Sequence, residues 1–342
     1  MMITQVPFST GNVAYAVNVT MEDMLAEYKD RRLIFITDQN VYALYKERLS
    51  NFECIIIEPG EQFKNQATVD NIIIELIKRQ ADKKTILVGI GGGVVTDITG
   101  YAAAIFKRGL QHVLIPTTLL AMVDAAIGGK NGVDVGPYKN MVGTIHQPLS
   151  VIFDVSFLQT LPDAEWTNGF AEIIKHACIK DAELFAFLEA NDMAFFQKNI
   201  NAAAALIKQN IEIKTKVVLE DEFETGNRKL LNFGHSFGHA IENAYQLSHG
   251  NAISIGMVMA ATISEEINNF NSVEKERIIK LLRQYGLPVK HATDHELIWD
   301  ILLADKKREN NAISFILLNS IGNAVITPIP LPRLKDIMNQ CL

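Results

Sequence analysis

An α/β nucleotide-binding domain followed by a helical domain is the architecture this sequence predicts, and three observations predict it. Short, β-branched runs without charge alternate with helical patterns through the first half of the chain. A glycine-rich turn, "GIGGGVVTDITG" (89–100), stands where one such run passes into a helix. Beyond "SVIFDVSFLQTLP" (150–162) the segments become long, alanine-rich and helically periodic. A chain of 342 residues has room for about two domains. The change of texture divides them into residues 1–155 and 156–342.

The strands come first. "RLIFIT" (32–37), "CIIIEP" (54–59), "TILVGI" (85–90) and "HVLIP" (112–116) are brief apolar runs of the kind buried on both faces of a parallel sheet. Between them "QATVDNIIIELIKRQ" (66–80) and "VVTDITGYAAAIFK" (94–107) read as helices. Strand–helix–strand repetition predicts a doubly wound, mostly parallel sheet. In the second half "DAEWTNGFAEIIKHACI" (163–179) and "NAAAALIKQNIEIKTKVVLE" (201–220) read as helices. A β-pattern at "NAISFILLNSIGNAVITPI" (311–329) predicts a late hairpin in an otherwise all-α domain. Open α/β sheets bind ligands beyond the carboxyl ends of their strands, so motifs from both halves are expected to face one cleft.

Composition narrows the function classes. Hydrophobic residues make up 48% and charged residues 21%, the mix of a soluble protein with a sizeable core. Lysine and arginine number 32 against 39 acidic residues, a net charge of −7. With no basic stripe, nucleic acid is a poor candidate for a partner. The three cysteines, Cys54, Cys178 and Cys341, are far apart, which excludes a Cys-rich zinc site and fits a reducing cytoplasm. "MMITQVPFSTGN" has neither the cationic nor the apolar region of a secretory leader, and no apolar run approaches the roughly 18 residues of a membrane span.

Several stretches carry residue types suited to chemistry. The turn at 89–100 would let backbone approach a pyrophosphate at a helix N-terminus, with Asp97 in the first turn. It is not the dinucleotide fingerprint, because Val94 stands where a glycine is required, and a tight structural connection is the other reading. "PTTLLAMVDAAIGGKNGVDVGPYKNMVG" (116–143) brings Asp124, Lys130, Asp134, Lys139 and Asn140 into a long loop. Lys130 after Gly-Gly suits an anion cradle; a hairpin with solvated lysines is the alternative. "GFAEIIKHACI" (169–179) sets Glu172, Lys175 and His176 on one helix face among apolar neighbours, where a buried carboxylate needs a cation or a metal. "LNFGHSFGHAIE" (231–242) stacks His235 and His239 one turn apart, and His249 follows close behind. Histidines with a glutamate are the usual catalytic zinc set, although a lone HxxxH is more often structural. "KTKVVLEDEFETGNRKLLN" (214–232) adds Lys214, Arg228 and Asn232. Arg228 and Asn232, four apart, would share a helix face from which a guanidinium can grip a carboxylate, or they decorate a charged junction. "ADKKREN" (304–310) is a basic turn or a further phosphate site.

Together, in order and spacing, "PGEQFK" (59–64), "GGGVVTD", "VDAAIGGKNGV", "FAEIIKHA", "ETGNRKLLNFGHSFGHAIE", "SHGNAISIGM" and "DKK" (305–307) resemble the 3-dehydroquinate synthase family of sugar phosphate cyclases. The resemblance covers nearly the whole chain. It implies a homodimeric cytoplasmic lyase of the shikimate pathway that uses NAD+ and a divalent metal, zinc or cobalt. The enzyme would convert 3-deoxy-D-arabino-heptulosonate 7-phosphate to 3-dehydroquinate and phosphate by oxidation, phosphate elimination, reduction, ring opening and aldol closure. Metal ligands fall by resemblance on Glu172, His235 and His249. Catalytic roles fall on His239, which handles protons beside the metal, on Glu224 and on Lys175. NAD contacts fall on Asp38, Glu61, Lys64, Gly92, Gly93, Asp97, Thr117, Thr118 and Lys139. Substrate contacts fall on Asp124, Lys130, Asn140, Lys214, Arg228, Asn232 and Lys306, with Arg108 reaching the partner subunit's substrate phosphate. The chain departs from the family pattern at Ala125 and Ala126, where serines are frequent, at Asn131 for threonine, Asp134 for asparagine and Asn251 for glutamate. The same fold would also serve another sugar phosphate cyclase or a metal- and NAD-dependent polyol dehydrogenase.

Overall fold

The uncharged runs pair as parallel strands. A computed structural model of the chain describes residues 2–136, 138–304, 308–309 and 311–341; Lys306 lies outside them. Strands β1 (Met2–Phe8), β2 (Gly11–Val17), β3 (Leu33–Asp38), β4 (Glu53–Ile57), β5 (Ile86–Gly91), β6 (Gln111–Pro116), β7 (Lys130–Val135), β8 (Tyr138–Ile145) and β9 (Ser150–Phe153) belong to the first part of the chain. Seven of them form one sheet in the order β1-β2-β9-β6-β5-β3-β4. Its β1–β2 pair is antiparallel and the other pairings are parallel. Strands β7 and β8 make a separate antiparallel hairpin, so the long loop at 116–143 closes as a hairpin after a wide helical turn at Ala121–Ala125.

Burial explains the sheet. All six residues of β5 are buried, as the central strand of a two-sided sheet requires. The Gln66–Lys78 helix lays Val69, Ile72 and Leu76 against Ile34, Ile36, Ile55 and Leu87 of the neighbouring strands. Asn65 starts that helix by accepting the Thr68 amide at 3.0 Å, a side-chain cap worth about 1 kcal/mol. Because β3 connects outward to β4 while β5 connects to β6 on the other side, the direction of winding reverses between β3 and β5. Such a reversal opens a crevice at the carboxyl ends of those strands.

The chain divides into two compact units, Met1–Glu165 with Gln197–Glu222, and Trp166–Phe196 with Phe223–Leu342. This division differs from the single boundary between 155 and 156. The first unit runs on to Glu165, and the Ile200–Glu220 helix returns to it. That return has a local cause: Lys214 on this helix donates to both the carbonyl and the Oδ1 of Asp124, each at 2.7 Å.

Among its described residues the second unit is helical apart from short turns and one antiparallel sheet. Its helices include most of Asp163–Lys180 and the whole of His235–Tyr245, His249–Asn268 and Ser272–Gln284. Strands β10 (Arg308–Glu309), β11 (Ala312–Ser320) and β12 (Asn323–Pro330) form the sheet, with β11–β12 where the late hairpin is expected. Phe237, Ile241, Ile255, Met259, Phe315 and Leu317 share one core. Among the described residues no helix is long and apolar enough to cross a membrane.

Candidate active site

Two constellations emerge, one in each unit. In the first, the chain leaves β5 through Gly91 and Gly92 and enters the Gly93–Ile105 helix with no side chain capping it. A Cβ on Gly91 would lie 2.5 Å from the Val95 side chain, so only glycine lets the turn close this tightly. The amide of Thr117 donates to the Gly91 carbonyl at 2.9 Å, which holds Thr117 and Thr118 beside that turn. Uncapped amides at a helix N-terminus, next to a glycine turn at the crevice, fit the pyrophosphate of a dinucleotide. Asp38 ends β3 on the other side of the crevice and also caps the following helix, accepting the Val41 amide at 2.9 Å.

Lys64 is buried at 5% exposure and ties the polar residues of this region together. Its ammonium lies 2.5 Å from Asp97 Oδ2 and donates to Asn140 Oδ1 at 2.7 Å. Burial opposes the charge on Lys64, but Asp97 and Glu61 outweigh it and raise its pKa. Lys139 lies 3.2 Å from Glu61. Asn140 adopts a left-handed backbone (φ 52°), held by its amide donating to Asp134 Oδ1 at 2.7 Å. The departure at Asp134 thus supports the Asn140 backbone. Lys130 is exposed at the start of β7. Arg108 is exposed in a run in which Lys107, Arg108 and Gly109 all have positive φ, a conformation costly for the two non-glycine residues.

The second constellation surrounds Glu172, whose side chain is fully buried on the Asp163–Lys180 helix. Its Oε2 accepts the ammonium of Lys175, one turn along. Its Oε1 lies 3.0 Å from His249 Nε2 and 3.5 Å from His235 Nε2. The far nitrogen of each imidazole is also engaged. His235 Nδ1 is 3.1 Å from the Phe233 carbonyl, an acceptor only, so Nδ1 carries the proton and Nε2 keeps its lone pair. Burial and the nearby Lys175 hold the His235 pKa well below its usual value. Burial also disfavours a charge on His249, but hydrogen bonds to Glu172 and Glu242 prevail and push its pKa up to about 9. Glu172, His235 and His249 each offer a ligand atom, all within 4.8 Å of one another. One carboxylate and two imidazoles fit a divalent ion, His235 already presenting a lone pair and His249 releasing its proton as the ion binds, and they leave coordination positions for a substrate.

His239 stands edge-on to His235, ring centroids 5.1 Å apart, beside the three-residue cluster. Arg228 and Asn232 lie on a short tight turn, Asn227–Asn232, rather than on the expected helix. With about three residues per turn, a spacing of four no longer shares a face. Asn232 instead donates to Glu224 Oε1 at 2.9 Å, and Arg228 is 2% exposed. Lys214 and Asp124 meet in the first unit, whereas Arg228, Asn232 and Glu224 belong to the second. Glu242, not among the residues expected from the sequence, follows His239 by three residues on the same helix and approaches His249 Nδ1 at 3.4 Å.

Two family models match the chain: the 3-dehydroquinate synthase N-terminal domain over residues 54–168 and the 3-dehydroquinate synthase C-terminal domain over residues 169–308. A 3-dehydroquinate synthase of Nitratiruptor sp. is 41% identical over 304 residues, covering 87% of this chain and 86% of that one. A solved 2-epi-5-epi-valiolone synthase of Streptomyces hygroscopicus, with NAD+ and Zn2+ bound, superimposes with a TM-score of 0.88 at 28% identity, covering 96% of both chains. A 2-deoxy-scyllo-inosose synthase in complex with carbaglucose-6-phosphate, NAD+ and Co2+ gives a TM-score of 0.86 at 26% identity, covering 100% of both.

Proposed function

We infer that this chain, which belongs to the 3-dehydroquinate synthase family, is a 3-dehydroquinate synthase. It is a carbon–oxygen lyase that turns 3-deoxy-D-arabino-heptulosonate 7-phosphate into 3-dehydroquinate and phosphate. The observation that carries the reading is the buried Glu172 facing His235 and His249 in a chain so similar to curated synthases over most of its length. When bound, NAD+ would take up and return a hydride, and a zinc or cobalt ion would polarise the substrate hydroxyls.

The chain's own residues supply the rest. Glu172, His235 and His249 hold the metal, and Lys175 neutralises the second oxygen of Glu172. Gly92, Gly93, Thr117 and Thr118 seat the pyrophosphate region of NAD+. Asp38, Glu61, Lys64, Asp97 and Lys139 surround the remainder of the cofactor. Lys130, Asn140 and the partner's copy of Arg108 stabilise the departing phosphate. The strained backbone at Lys107–Arg108 supports a role for Arg108 outside its own fold. Lys214 with Asp124, and Arg228 with Asn232, bind the sugar acid, and the buried guanidinium faces its carboxylate. His239 moves a proton beside the metal, and Glu224, held by Asn232, accepts one. The active form is a homodimer, because Arg108 acts on the partner's substrate. Its compartment is the cytoplasm, in keeping with its few, scattered cysteines.

The test is direct. Folded, zinc-loaded protein given the heptulosonate phosphate and catalytic NAD+ releases phosphate and 3-dehydroquinate in equal amounts without net NADH. Net NADH without phosphate would mark a polyol dehydrogenase. Turnover of a sugar phosphate that lacks the carboxylate, in place of the acid, would mark one of the sister cyclases.

A further inference from the structure

Glu242 lies outside the three-ligand set, yet it is buried at 4% exposure. On the His235–Tyr245 helix it follows His235 by seven residues and His239 by three, so all three side chains rise from one face. A carboxylate removed from water has to find donors. One of them is His249 Nδ1, 3.4 Å from Glu242 Oε2, while His249 Nε2 points the other way, 3.0 Å from Glu172. His235 is held in the same manner, its Nδ1 by the Phe233 carbonyl. Each imidazole of the cluster therefore has its far nitrogen engaged and its Nε2 turned toward Glu172.

We propose that Glu242 is a positioning residue of the metal centre, fixing the ring orientation and tautomer of His249 without being a ligand. The proposal rests on the assignment of Glu172, His235 and His249 as the metal set. It gives His249 an outer partner from the neighbouring helix, although Asn251 stands where the family usually carries a glutamate. An imidazole whose Nδ1–H is pinned by a carboxylate presents Nε2 at a fixed angle and with greater basicity. A competing arrangement exists, because His239, Glu242 and His249 also offer ligand atoms within 4.8 Å of one another, which would make Glu242 a ligand. The first set contains the fully buried Glu172 and both oriented Nε2 atoms, and we favour it on that ground.

Chelator competition with zinc, in the absence of substrate and NAD+, separates these cases, with unfolding midpoints of the metal-free variants run alongside. Glu242→Ala weakens zinc binding about 10- to 100-fold, the usual effect of losing an outer partner. Glu242→Gln keeps an oxygen that accepts Nδ1–H and recovers most of that loss. Glu242→Asp keeps the charge but falls a methylene short of His249, and binds as weakly as the alanine variant. His239→Ala leaves zinc affinity nearly unchanged, whereas Glu172→Gln and His235→Ala lose more than any Glu242 variant. Wild-type affinity in Glu242→Ala overturns the proposal, and so does a glutamine variant as weak as aspartate. Should the alanine variant not fold, the glutamine and aspartate variants decide the question alone. Equal losses in His239→Ala and Glu242→Ala would make Glu242 a ligand instead. Unchanged affinity in Glu172→Gln and His235→Ala would overturn the metal set itself, a separate failure.

Discussion

Gly256→Ala places a methyl group in the seam between the helices that carry His235 and His249. A Cβ at Gly256 would lie 2.0 Å from the Gly234 carbonyl oxygen and 2.7 Å from the Gly238 amide nitrogen, where ordinary contact begins at 3.4 Å. The atoms it meets are backbone, so no rotamer change relieves the clash. The His235–Tyr245 and His249–Asn268 helices have to part by more than an ångström, whereas metal–ligand distances tolerate only about 0.2 Å. Overpacking of this kind costs about 1–3 kcal/mol of stability, and a displacement of that size in a site costs about 100-fold in turnover. The expected result is a lower thermal midpoint for the metal-free protein, together with zinc affinity reduced about tenfold or more, both measured on the same preparation. A Gly256→Ala protein with wild-type midpoint and wild-type zinc affinity would refute the claim that this seam sets the spacing of the two imidazoles.

Three further perturbations probe other parts of the molecule. Burial, with His146 stacked at 4.9 Å, pushes the His112 pKa down to about 3. The unfolded chain therefore binds this proton first, and stability that is full above about pH 6.5 is lost as pH falls toward 3, on the order of 5 kcal/mol in all. His112→Phe should flatten that part of the acid limb in urea unfolding, and an unchanged slope would contradict the assignment. Lys64→Met leaves Asp97 without its nearest cation and should cost about 3 kcal/mol. The double variant Lys64→Met/Asp97→Leu should regain much of it, and purely additive losses would show the pair to be uncoupled. Arg228→Lys exchanges a planar fork for a point charge and should raise the substrate KM about tenfold or more, about 1.4 kcal/mol of binding, with NAD+ and zinc affinities unchanged. Parallel loss of all three would make Arg228 a structural residue.

The central strands were legible because burial on both faces leaves an uninterrupted apolar run, as at "TILVGI". The β1–β2 hairpin carries little signal in the sequence. Of residues 3–8 in β1 only Val6 and Phe8 are buried, so its alternation is faint, and alanines dilute the β-signal of "VAYAV" in β2. The Ile200–Glu220 helix was legible as a helix but not as part of the first unit, since the Lys214–Asp124 contact joins residues far apart in the chain. At the site, the HxxxH spacing is visible locally, whereas the grouping of Glu172 with His235 and His249 followed only from the family resemblance, because their proximity depends on how separate helices pack. Arg228 and Asn232 were placed on a helix face by a 3.6-residue period that the short turn does not follow. Glu242 carried a weak signal, its spacing from His239, but nothing local marks it as buried against His249.

The central claim is that Glu172, His235 and His249 hold the metal on which the chemistry depends, with His239 left for protons. An anomalous difference map from crystals grown with zinc tests it most directly. The account predicts one peak bonded to a Glu172 oxygen and to Nε2 of both His235 and His249, with Glu242 on His249 Nδ1 and His239 beyond bonding distance. A peak bonded to His239 and Glu242, with His235 free, would contradict it.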